Sequence, residues 1–176
     1  SDTLVGPNLV VLPTDIPQLW TKFKNVVVPC NWVKSKYKQY GITKDINFFV
    51  WPVGIDTETF SPNKNKKEEC LIYFKNGSQK TLESCVSILN DKNIKYRILE
   101  YGNYTESEFI EIGKSSKFSV LITSTESQGI AYQELLSMNV PCYCIDKTVW
   151  DDRQGHSYPA TSVPYFDKSC GIKSSD

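Results

Sequence analysis

Short apolar runs recur along the chain, separated by stretches whose apolar positions repeat every three or four residues. Asn8–Leu12, Asn25–Val28, Phe48–Trp51, Cys70–Phe74, Tyr96–Leu99, Phe118–Ile122 and Cys142–Ile145 are four or five residues each, rich in β-branched, aromatic and aliphatic side chains. Runs this short, with little polar alternation, suit strands of a parallel sheet covered on both faces.

The intervening stretches read as helices. Leu82, Cys85, Val86 and Leu89 stand at i, i+3, i+4 and i+7, a single apolar stripe. Thr105-Glu106-Ser107-Glu108 is a capping box, and Phe109 and Ile112 continue the inner face of the helix it opens. Ala131, Leu135 and Met138 do the same for a helix expected from about Gln128 to Met138, which Pro141 closes. From Cys70 the order is β-α-β-α-β-α-β. That alternation predicts an α/β fold: a doubly wound parallel sheet with right-handed crossovers.

One stretch interrupts the rhythm. Pro52 to Pro62 holds two prolines and a glycine, and Asn63-Lys64-Asn65-Lys66-Lys67-Glu68-Glu69 is a charge run. It reads as a long surface loop or as an inter-domain linker. The linker reading divides the chain into a partial N-terminal segment, 1–55, and a larger domain, 56–176. After Trp150 the glycine and prolines predict a largely irregular tail.

Charge narrows the function classes. The 20 Lys and Arg balance 20 Asp and Glu, so the chain lacks the basic excess that nucleic-acid or membrane-surface binding by charge requires. No apolar run reaches the roughly 18 residues of a membrane span. The six cysteines contain no CxxC pair and mostly sit in apolar runs, as reduced thiols of a cytoplasmic protein do. Ser1-Asp2-Thr3 lacks the basic and apolar regions of a secretory leader, which points the same way. His156, the single histidine, falls in an irregular stretch and is expected at the surface.

In open parallel sheets ligands bind beyond the carboxyl ends of the strands. After the Cys70 run come Lys75, Asn76, Gly77, Ser78 and Lys80. Ser78 is placed to cap the next helix, whose N-terminus would favour phosphate; two lysines flank it. The same residues also suit a solvated turn. After the Tyr96 run, Tyr101 and Tyr104 around Gly102 offer rings for a nucleobase or for loop packing. After the Phe118 run, Glu126 lies in the loop and Glu134 eight residues on, two helical turns away. With the N–H groups at Gln128 and Gly129, two carboxylates suit a polyhydroxylated anionic ligand. A surface Glu and a capping Glu would look the same.

Glu126-Ser-Gln-Gly-Ile-Ala-Tyr-Gln-Glu134, followed by Val140-Pro141, resembles the E-x7-E signature of retaining GT-B glycosyltransferases (group 1, family 4-like). Pro29-Cys30-Asn31-Trp32-Val33, then Pro52-Val53-Gly54-Ile55-Asp56 and Phe60-Ser61-Pro62, is similar to that family's P-S-x-W-V helix and its I-P-N-G-V-D linker. The resemblance runs from about Pro29 to Ile145. It implies the Rossmann-like, nucleotide-sugar-binding half of a GT-B fold, preceded by a partial acceptor-side segment. It implies Glu126 at the donor sugar and catalysis, Glu134 at the ribose, and Ser127, Gln128, Gly129 and Ile130 cradling sugar and phosphate. It places Lys80 and Lys75 at the diphosphate, Lys75 standing where the family often has Arg. Asn76, Gly77 and Tyr101 are expected at the donor from their place just after the strands, apart from the resemblance. Gln128 replaces the usual aromatic and Asn139 the usual Gly.

The implied activity is hexosyl transfer from a nucleotide-activated sugar to a glycan, lipid or protein acceptor, with retention, no metal and no cofactor beyond the donor. The family's complete enzymes are about twice as long, so the resemblance implies that most of an N-terminal half is missing. A non-catalytic nucleotide or nucleotide-sugar binding module is the alternative.

Overall fold

A computed structural model describes residues 3–6, 12–152 and 154–175. The strand expected over 8–12 lies outside the described residues apart from Leu12. The first unit is a small parallel sheet, β1 (Leu4–Val5), β2 (Asn25–Val28) and β3 (Asn47–Val50), in the order β1-β2-β3. Two helices connect its strands, α1 (Pro17–Trp20) and α2 (Asn31–Tyr37). Val26, Val28 and Phe48 point from one face of this sheet onto Trp20, Val33 and Tyr37.

The second unit begins with β4 (Glu68–Lys75) and continues through α3 (Gln79–Asp91), β5 (Tyr96–Glu100), α4 (Glu106–Ser115), β6 (Ser116–Thr123), α5 (Ile130–Ser137) and β7 (Cys142–Asp146). The alternation expected from Cys70 onward is therefore present. Its five parallel strands lie in the order β10-β7-β6-β4-β5, where β10 is Gly171–Ser175. Counted from β4 this is the doubly wound order 2-1-3-4-5. Successive residues of β4 serve opposite faces. Cys70 and Ile72 pack with Val120 and Ile122 under α3. Leu71 and Tyr73 pack with Leu121 and Cys144 under α4 and α5. Both faces are covered, which is why the strand reads as a continuous apolar run. Burying Leu71 and Ile72 completely contributes about 1.5–3 kcal/mol each.

Local chemistry sets the helix starts. The Ser78 hydroxyl accepts from the Thr81 N–H, capping α3. At α4 the expected capping box closes both ways: the Thr105 N–H donates to Glu108 Oε2 at 2.8 Å, and the Glu108 N–H donates to Thr105 Oγ1 at 3.3 Å. α5 starts two residues later than expected because Gly129 takes a left-handed conformation, φ 63°. A Cβ there would also lie 2.3 Å from the Tyr132 ring.

The segment 52–67 carries no helix or strand but is anchored. Phe60 is buried edge-on against Phe109 in the core of the second sheet, and the Lys66 ammonium donates to the Met138 carbonyl.

The tail departs from the irregular path expected of it. Val149–Asp151 (β8) and Ser157–Pro159 (β9) form an antiparallel hairpin, and β10 joins the main sheet beside β7. Gly-Ile-Lys-Ser-Ser has no apolar alternation, so backbone pairing rather than side-chain burial makes it a strand. The hairpin packs back onto α2. The Tyr158 ring stacks on Tyr40, and Lys36, 2% exposed, holds its ammonium 3.8 Å from the Trp150 ring centroid. Burial lowers the Lys36 pKa to about 8, with Asp152 and Cys30 pulling it upward.

Candidate functional site

The order of the second sheet reverses between β4 and β6, because one crossover leaves β4 toward β5 and the next returns past β4 to β6. Connections that diverge in this way leave a crevice at the carboxyl ends of the two strands. A cavity of about 490 Å³ lies there, lined by the ends of β4 and β6, the loop after β5, the 126–129 loop and the start of α5.

Lys75 ends β4. Its Nζ sits 2.8 Å from Glu126 Oε1 and 4.5 Å from the centre of the Tyr101 ring. Glu126 is held at two further points. Its N–H donates to the Thr161 carbonyl at 2.9 Å, and its own carbonyl accepts from Trp32 Nε1 at 2.8 Å. Thr161 is in turn fixed by buried Asp146. That carboxylate accepts from the Thr161 hydroxyl and the Ser162 N–H, both at 2.7 Å, and meets Lys173 at 3.1 Å. The loop position therefore depends on three distant parts of the chain.

At the start of α5 the Gln133 side-chain amide donates to the Gln128 carbonyl at 2.6 Å. Glu134 is half-buried on the same helix. Burial, and then the charge of Glu106, push its carboxyl above the usual carboxylate range. Two buried hydroxyls, Thr123 Oγ1 and the Tyr132 phenol, belong to residues lining the cavity and have no hydrogen-bond partner among the described residues.

Nine of the candidate site residues named from the sequence line the cavity together: Lys75, Tyr101, Tyr104, Glu126, Ser127, Gln128, Gly129, Ile130 and Glu134. Asn76, Gly77 and Lys80 do not line it. Lys80 is exposed on α3. Asn76 takes a left-handed φ of 52° and forms a bridge to Thr123. Gly77 answers a packing need, since a Cβ there would lie 2.7 Å from the Ile122 carbonyl oxygen. Of the two tyrosines after β5, Tyr101 is 57% exposed and offers a face. Tyr104 is stacked on Phe109 and shares a hydroxyl contact of 3.2 Å with Tyr73.

Trp32, Thr123, Tyr132 and Thr161 were not legible as site residues. Their roles come from contacts across up to 94 residues of chain, which no local pattern marks. A second cleft, of about 430 Å³, runs along β1 and the segment after β3 and meets the first at Gln128.

His156 lies elsewhere, 63% exposed, with Nδ1 3.0 Å from the buried Asp152 carboxylate. Burial alone would raise the Asp152 carboxyl; the N–H groups of His156 and Gln154 and the imidazole outweigh it and hold it low. All six cysteines are unbonded. Among the described residues, no group of three or more His, Cys, Asp and Glu side chains is placed to hold a metal ion, and no helix is long and apolar enough to cross a membrane.

The crevice thus combines one ammonium, two carboxylates, a helix N-terminus and an exposed aromatic face. Such a set can bind an anion beside several hydroxyls and a flat ring. No protein-family model matches the chain, and no curated protein matches it.

Proposed function

We propose that this crevice binds a nucleotide-activated sugar and that the chain is a retaining, metal-independent glycosyltransferase or its donor-binding portion. The observation that carries the reading is the gathering of Lys75, Glu126, Glu134 and the start of α5 around one cavity at the point where the strand order reverses. The resemblance of Glu126 to Glu134 to the E-x7-E signature supports it independently of the geometry.

In this reading the diphosphate lies between the Lys75 ammonium and the N–H groups at the start of α5. Glu126 accepts from the sugar hydroxyls and Glu134 from the ribose. Tyr101 offers its ring to the base. As the nucleoside diphosphate leaves, charge grows on the phosphate oxygens, and Lys75 and the helix N-terminus stabilise it. The acceptor is a glycan, a lipid or a protein; a cytoplasmic setting suits six unbonded thiols.

Calorimetric titration with UDP, GDP, ADP and their sugars tests the reading. One member of the panel should bind, and Glu134→Gln should weaken it roughly 30- to 150-fold, the loss expected from a carboxylate bonding two hydroxyls. Absence of binding across the panel, or an unchanged affinity in Glu134→Gln, would remove the donor site.

A further inference from the structure

Trp32 stands apart from the crevice yet touches its most constrained residue. The indole N–H donates to the Glu126 carbonyl at 2.8 Å, across 94 residues of chain. The ring is itself wedged by the tail hairpin. Trp150 lies 6.4 Å away, centre to centre, and the buried Lys36 ammonium lies to the side of both rings, 5.7 Å from that of Trp32 and 3.8 Å from that of Trp150.

The loop between β6 and α5 is fixed from outside itself. The Ser124 N–H donates to the Lys75 carbonyl, the Glu126 N–H to Thr161, and the Glu126 carbonyl accepts from Trp32. A trans peptide points its C=O and its N–H in opposite directions. By holding the Glu126 carbonyl, Trp32 therefore also sets the direction of the Ser127 N–H, on a residue that lines the crevice. A flip of that one peptide would turn a donor into an acceptor at the place where an anion is expected.

We propose that Trp32 is a positioning residue: its indole N–H locks the 126–127 peptide in the orientation that presents the Ser127 N–H at the crevice, and so couples the three-stranded unit to ligand binding in the second sheet. The coupling to ligand rests on the donor-site reading; the locking of the peptide does not.

Trp32→Phe keeps an aromatic ring and removes the N–H. In the folded variant, amide exchange across 124–129 should accelerate about tenfold, the worth of roughly one hydrogen bond, while exchange in α3 and the melting temperature stay near those of the parent. UDP or GDP, whichever binds the parent, should bind the variant about tenfold more weakly. Unchanged exchange across 124–129 would overturn the proposal. If neither nucleotide binds the parent, the donor reading falls, and the exchange result alone still decides whether Trp32 locks the loop. Should the variant fail to fold, the parent's indole N–H signals decide. Trp32 should exchange with solvent at least about tenfold more slowly than exposed Trp51, and equal rates would overturn the lock.

Discussion

Lys75 Nζ and Glu126 Oε1 lie 2.8 Å apart, one at the end of β4 and the other in the loop after β6, so opposite charges meet at the crevice. Both side chains are partly exposed, 25% and 18%, so the pair adds little to stability. Its consequence lies in competition. If the proposed donor binds here, its diphosphate must share Lys75 with Glu126 or displace it. Glu126→Gln is accordingly expected to bind free UDP, GDP or pyrophosphate about three- to tenfold more tightly than the parent, and Lys75→Met about tenfold more weakly. Calorimetry on the three proteins checks the opposite signs.

Glu134 carries a second, independent signature. Its carboxyl is raised by burial and by Glu106. For a raised group the native state holds its proton above the pH at which the unfolded chain loses it. The contribution to stability is therefore full below the unfolded value and is lost as pH rises through the folded one. As pH rises out of the acid range the parent therefore loses stability that a non-titrating Gln at this position keeps. Glu134→Gln is expected to melt about 1–3 °C higher than the parent at pH 7, with the gain vanishing below pH 4. Thermal melts across that range measure it, and set beside the titration that tests the proposed donor site they separate a binding role from a structural one.

Lys36 works in the other direction. Its pKa is lowered to about 8 by burial among Trp32, Tyr37 and Trp150, against the upward pull of Asp152 and Cys30. Between the folded and unfolded values the native state binds fewer protons, so stability rises with pH through that window and is lost as pH falls through about 8. Relative to Lys36→Met, the parent should gain on the order of 1–3 kcal/mol between about pH 7 and 10. Comparing the two proteins removes the opposing titration of the buried tyrosines and cysteines, which both share.

Gly171 opens β10 at φ +139°, and a Cβ there would lie 2.0 Å from the Cys142 carbonyl oxygen. Neither the backbone angle nor the neighbour can yield cheaply. Gly171→Ala is expected to cost about 2–4 kcal/mol in denaturant unfolding and to raise amide exchange in Gly171–Ser175.

Most of the second sheet was legible because it is buried on both faces and its helices carry capping residues. Cys70–Phe74 and Phe118–Ile122 announce themselves as apolar runs, and Thr105 with Glu108 marks the start of α4. β10 escaped because it is polar and exposed, made a strand only by its partner. The crevice was legible in part for a related reason. Residues that follow a strand can be read in order, so Lys75, Tyr101, Glu126 and Glu134 were found. Lys80 follows the same strand but lies on α3, exposed and outside the crevice lining. The ion pair, the Trp32 anchor and the Asp146 support of Thr161 depend on how separate segments come together, and no spacing encodes them.

The polar strand at the end of the chain protects its neighbour. Cys142–Asp146 runs Cys-Tyr-Cys-Ile-Asp, a short, nearly uncharged stretch of strong strand formers whose outer hydrogen-bonding edge is taken up by Gly171–Ser175. Without that cover the edge would be a template for another chain to pair with, the first step of self-association. Lys173, ion-paired to Asp146, adds a charge on the covering strand, a common deterrent to edge-to-edge pairing. Five residues that contribute little to the core thus bear on solubility, and a chain trimmed before Gly171 is expected to precipitate on standing where the intact one stays dispersed.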